Sequence, residues 1–140
     1  MSLDDFIKGS ESMPDIPMKR AWHVITENER VLAAVTALRS GDMATLGRLL
    51  NESHESLRQD FQVSCDELDL MVDLARGQRG VLGSRMTGGG FGGCTINLLA
   101  PGDHHDFVEN MTTAYTRETG IVPEIYHCNP TGGVCEVHQT

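Results

Sequence analysis

Through residue 75 the apolar positions recur at helical spacing, and from residue 82 they switch to short strand-like runs. After a polar stretch holding Pro14 and Pro17, Val24, Val31, Val35 and Leu38 fall on one stripe of a helix that starts at Lys19. Ile25 and Leu32 widen that stripe. Gly41 stops this helix, and Asp42 is placed to cap a second, in which Leu46, Leu49, Leu50, Ser53 and Leu57 follow the helical period. Ser64 and Glu67 have capping-box spacing at the start of a third helix, with Leu68, Met71, Val72 and Ala75 as its buried stripe. The run 82–87 reads as a strand, and 94–100 as a second with Cys94, Ile96 and Leu98 on one face. Pro101-Gly102 breaks it. A fourth helix over 103–119 turns Phe107, Val108, Met111 and Tyr115 inward and ends at Gly120. Residues 121–128 read as another strand, with Pro123 favouring an edge, and 132–140 as a short last one.

Strands joined by a short connection run antiparallel, and this element order makes an α+β layered domain with the helices on one face. Residues 1–18 read as a lead-in segment and 19–140 as the domain. Met1-Ser2-Leu3 has the look of vector-derived sequence. The chain is 140 residues long, enough for one core without covalent staples. A net charge of −9 argues against a nucleic-acid or anionic-membrane binder, which needs basic patches. No apolar run approaches the ~20 residues that cross a bilayer. Cys65, Cys94, Cys128 and Cys135 form no C-x-x-C pair, and the histidines do not fall into metal-ligand spacing with them. Free thiols in a cytoplasmic protein, and no metal site, are the expectation.

Between the two central strands the chain reads "RMTGGGFGGCTINLL", with five glycines among positions 88–93. Glycine allows φ > 0 and close approach of another group to the backbone. No lysine follows, as a Walker A loop requires. The spelling Gly88-x-Gly90-x-x-Gly93 matches a dinucleotide fingerprint, but a strand follows where that motif needs a helix. The residues alone leave open a glycine hairpin packed on another domain and a phosphate contact through converging N–H groups.

That stretch resembles the third signature motif of galactokinases, in the family that also holds homoserine, mevalonate and phosphomevalonate kinases. "KRAWHVITENERVLAA" (19–34) and "LLNESHESLRQDFQVSCDELDLMV" (49–72) resemble two further blocks of galactokinases, and "TGIVPEIYHCNPTGGV" fits the closing strands. The resemblance implies a C-terminal domain with a ferredoxin-like antiparallel sheet backed by helices. It also implies, for the full-length enzyme, ATP- and Mg²⁺-dependent phosphorylation of galactose to galactose 1-phosphate. Kinases of N-acetylgalactosamine or arabinose share this C-terminal pattern. The family's sugar-recognition motif, ATP loop and catalytic Asp and Arg belong to an N-terminal half with no counterpart here, so no catalytic residue is expected in this chain. Carried over as lining the phosphate and sugar cleft are Thr87, Gly88, Gly89, Gly90, Gly92 and Gly93, with Phe91 as a packing residue.

On this reading galactose and ATP are met through the other domain, and the chain alone is expected to be inactive and to hold no cofactor tightly. An exposed interdomain face would then allow a homodimer. The alternative is a stand-alone, non-catalytic domain derived from a kinase that binds a ligand or a protein. His23 with Glu27, and His54 with Glu55, read as helix-surface or interdomain hydrogen-bonding groups. His104-His105 reads as exposed, Asn28 as interfacial or internally bonded, Trp22 as a packing anchor, and Arg85 as a phosphate neighbour or an ion-pair partner.

Overall fold

The computed structural model describes residues 3–102 and 104–129. The polar start is helical: α1 (Leu3–Gly9) and a 3₁₀ turn at Ser10–Ser12 precede α2 (Asp15–Ser40), which begins four residues ahead of Lys19. Phe6 of α1 is buried and tilts against Trp22 at 6.3 Å between ring centres, so the tryptophan is a packing anchor. Gly41 closes α2 in the left-handed region, and the Asp42 side chain accepts the Thr45 N–H at 3.0 Å to open α3 (Met43–Ser56). One π-type turn, Leu57–Phe61, follows, and then α4 (Asp66–Arg76). The expected capping box at Ser64 and Glu67 does not form. Cys65 occupies the cap position with no side-chain bond to the helix's first N–H groups, and the Ser64 hydroxyl is spent on Asp69 Oδ1 at 2.5 Å.

Strands β1 (Val81–Thr87) and β2 (Cys94–Leu99) pair antiparallel from Val81↔Leu99 to Thr87↔Cys94, with an irregularity between Val81 and Gly83. Helix α5 (His104–Thr119) then packs on α4. The expected α+β class with an antiparallel sheet stands, reduced to two strands among the described residues. Residues 121–128, read as a strand, join no ladder, although Ile125 packs beside Phe107 and Met111. The strand expected at 132–140, and Cys135 with it, lies outside the described residues.

Two faces are reversed relative to their periodicity. In β2, Cys94 and Ile96 are exposed, while Leu99 packs beside Ala75, Phe107 and Met111. In α2 the stripe residues Val24, Val31, Val35 and Leu38, with Leu32, all lie exposed, and His23 and Ala37 are the buried members. Asn28 is exposed as well. In α5 the burial falls as expected on Phe107, Met111 and Tyr115, with Val108 at the rim.

The layers meet at backbone distance. A Cβ on Gly47 of α3 would overlap the Leu82 carbonyl, and one on Gly83 of β1 would overlap the Gly47 carbonyl. Neither backbone can retreat without separating α3 from the strand. Gly47→Ala and Gly83→Ala should therefore each cost about 1–3 kcal/mol in denaturant unfolding. Gly89→Ala, which meets open space, should stay within ~0.5 kcal/mol of the parent.

Candidate functional site

Thr87 ends β1 and Cys94 begins β2, so the six residues between them are the whole hairpin connection. Gly88, Gly90, Gly92 and Gly93 have φ of 81°, 82°, 119° and 100°, a conformation L side chains rarely adopt. No heavy atom lies within 4 Å of where a Cβ would stand on Gly88, Gly89, Gly92 or Gly93, so the loop is open to an incoming group there. Gly90 differs. A Cβ on it would overlap the Val63 carbonyl oxygen, which also accepts the Phe91 N–H at 2.7 Å. The loop is thus pinned at its apex and free along both arms. Phe91, expected to pack, instead stands 76% exposed, because its backbone is held against Val63 with φ of 59° and the ring is turned outward.

Val63 is itself held from below. Its N–H returns to Leu57 O at 3.1 Å, across the π-type turn that Gln62 closes at φ 58°. From α2, Arg20 donates to the Asp60 carbonyl and, at 2.7 Å, to Gln62 Oε1. The Ser56 hydroxyl donates to Asp60 Oδ2 at 2.8 Å. His23 Nδ1, 3.0 Å from the same hydroxyl, must then be the donor of that pair. The His23 ring stacks on Phe61 at 4.7 Å.

Helix α3 lays a polar face along the outer edge of β1. Gly47, Asn51 and His54 sit at i, i+4 and i+7, on one side of the helix. Asn51 Oδ1 accepts the Ser84 N–H and Arg76 Nε, both at 2.9 Å. The Arg76 guanidinium also reaches Asn51 O at 2.9 Å, Ser84 O at 3.3 Å and Glu55 Oε1 at 2.8 Å. His54 Nδ1 accepts the Met86 N–H at 3.3 Å. Its Nε2 stands 3.3 Å from Asp69 Oδ1, short of hydrogen-bond alignment. Across the hairpin the Ser84 hydroxyl donates to Asn97 Oδ1 at 2.6 Å. His23 and His54, expected as helix-surface or interdomain hydrogen-bonding groups, do form hydrogen bonds, but neither is on the surface: both are buried, His54 completely.

Arg85 takes the ion-pair role rather than that of a free cation. It donates to Glu27 Oε1 at 3.1 Å and to Met86 O at 3.0 Å. Glu27 also accepts from Ser53 at 2.6 Å and Arg30 at 2.7 Å. Burial pushes the Glu27 carboxyl up, but the bonds from Ser53 and Arg30 and the charges of Arg30 and Arg85 outweigh it, leaving it below the usual range. Among the described residues no group of three or more His, Cys, Asp or Glu could hold a metal ion. No described helix is long and apolar enough to cross a membrane.

The sequence pattern missed Arg20, Asn51, Val63 and Arg76, which support the loop without lying in it. Only Asn51 has an advance signal, the Gly47–Asn51–His54 spacing, which marks a polar helix face that a backbone approaches.

A family model described as the GHMP kinases C terminal matches residues 34–116. The galactokinase of Roseiflexus sp. (strain RS-1) is 42% identical over 137 residues, covering 98% of this chain and 35% of that protein. The galactokinase of Thermotoga neapolitana is 46% identical over 127 residues, covering 91% and 36%. The crystal structure of Lactococcus lactis galactokinase complexed with galactose superposes with a TM-score of 0.82 at 37% identity, covering 87% of this chain and 32% of that one. L. major mevalonate kinase in complex with R-mevalonate gives 0.56 at 31% identity, covering 83% and 33%. The chain spans about a third of the length of the curated relatives it matches.

Desolvation lowers the pKa of both His23 and His54, with Arg76 adding to the effect at His54. Unfolded histidine takes up a proton near pH 6.5, so below that the unfolded state binds more protons than the folded one. Stability is then full above about pH 6.5 and falls as the pH drops toward the folded values. Melting temperatures across roughly pH 7.5 to 5.5 should decline. His23→Gln should flatten part of the slope; a flat parent profile contradicts the assignment of two buried neutral rings.

Proposed function

This chain belongs to the GHMP kinases through their C-terminal domain, and on that premise we propose that it forms the C-terminal domain of a galactokinase. The activity is transfer of the ATP γ-phosphoryl group to galactose, giving galactose 1-phosphate. The observation that carries this reading is the open, pinned glycine connection in a chain 42–47% identical to several galactokinases.

Phosphoryl transfer depends on positioning and on charge stabilisation, with little covalent work for the protein. Thr87, Gly88, Gly89, Gly90, Gly92 and Gly93 are proposed to line the phosphate and sugar side of the cleft. The space left by absent Cβ atoms on both arms fits a phosphate oxygen approaching backbone N–H groups. Mg²⁺, when bound, would neutralise phosphate charge; no residue of this chain is assigned to it. Galactose and ATP would be met together with the other two-thirds of the kinase. The exposed apolar residues of α2 support a face for contact with that portion or, in its absence, with a second copy. A cytoplasmic location accords with the free thiols Cys65, Cys94 and Cys128.

The test is a fusion in which this chain replaces the matching C-terminal third of the L. lactis galactokinase. The fusion should show galactose-dependent release of ADP, while the 140-residue chain alone should show none and should not bind MgATP tightly in titration calorimetry. Gly90→Val in the fusion should lower kcat/KM by about 100-fold, the scale of a misplaced positioning element. Turnover by the chain alone, or a folded fusion without activity, would overturn the proposal.

A further inference from the structure

The glycine connection is held at two points, and only its apex lies in the loop itself. The other is its stem. Strand β1 has one ladder partner among the described residues, so the N–H groups on its far edge have no strand to bond. Ser84 and Met86 are wholly buried, and water cannot serve those groups. A buried N–H left without a partner is destabilising by the full desolvation of the group. Ser84 and Met86 are two apart, so their N–H groups point the same way. Both are met by α3, Ser84 by Asn51 and Met86 by His54.

We infer that His54 is a positioning residue for the glycine loop: as a neutral imidazole it takes the place of a neighbouring strand at Met86 and fixes the stem from which Thr87–Gly93 departs. The inference rests on reading that loop as a wall of the phosphate cleft. The ring's state follows from the donor. An amide N–H can only donate, so Nδ1 is the bare nitrogen and the proton sits on Nε2, facing Asp69. Asp69 is in turn held by Ser64 and by Arg58 Nε at 3.0 Å, which keeps it beside the ring. Asn51 is oriented by Arg76 and is therefore part of a larger ion-pair system. His54 has no such second anchor on its Nδ1 side, so the Met86 bond is its specific task.

This role separates from simple packing. In a nitrogen-15 spectrum of the 140-residue chain, the His54 ring should show an unprotonated Nδ1 and a protonated Nε2. His54→Asn keeps an acceptor near the Nδ1 position, whereas His54→Leu keeps bulk without one. The Met86 amide should exchange about 10-fold or more faster in His54→Leu than in His54→Asn. In the fusion described above, kcat should fall in His54→Leu, with the KM for galactose within about twofold, and His54→Asn should restore most of it. A protonated Nδ1 overturns the inference. So does equal Met86 exchange in the two variants, or a His54→Leu fusion with unchanged kcat. Should His54→Leu fail to fold, the ring tautomer and the slow Met86 exchange in His54→Asn decide the matter. A fusion that is inactive with His54 in place refutes the galactokinase reading, while the tautomer and exchange in the chain still judge the stem contact by themselves.

Discussion

The contact between Gly47 and the Leu82–Gly83 backbone sets the distance on which everything near the loop depends. Any side chain at either glycine would lift α3 from β1. With α3 pressed down, two side chains one and two turns further along reach the strand edge. Asn51 and His54 are short, and from a helix a few ångströms higher neither could bond a strand N–H within 3.3 Å. Close backbone approach thus converts an edge strand into a capped one.

Capping an edge with side chains rather than with another strand has a chemical consequence. A strand offers peptide groups, which do not titrate in this range. Asn51, His54 and Arg76 offer an amide, an imidazole and a guanidinium, of which the imidazole changes its donor pattern on protonation. The same is true below the loop, where His23, Ser56 and Asp60 steady the turn that presents Val63. The glycines themselves are permissive. Their shape comes from polar groups on α2, α3 and α4 and in the Leu57–Val63 segment between α3 and α4, none of which lies in the glycine run.

The apolar stripe of α2 points outward, an arrangement periodicity alone does not foresee. A helix buries whichever face its neighbours offer it. Here α3 and the turn at Leu57–Phe61 take the side carrying His23 and Ala37. Val31, Leu32, Val35 and Leu38 stay open. The polar side of the helix is thus satisfied locally, and its apolar side is left exposed. The reversal in β2 has a similar cause. Asn97 faces the buried Ser84 hydroxyl, which turns Ile96 to the other side.

Legible from the residues were the breaks at Gly41 and Gly120, the Asp42 cap, the stripes of α4 and α5 and the hairpin around the glycine run. Each is set by neighbours within a few positions, so local propensity decides it. The resemblance of three ordered blocks added the family and the expectation that the loop lines a cleft. What only the tertiary structure decided is which faces are covered and what holds the loop. His54 and Met86 are 32 residues apart, and Phe91 and Val63 are joined through a carbonyl that carries no side-chain signature. A chain read one residue at a time shows glycines free to bend; only the packed helices decide which bend they take.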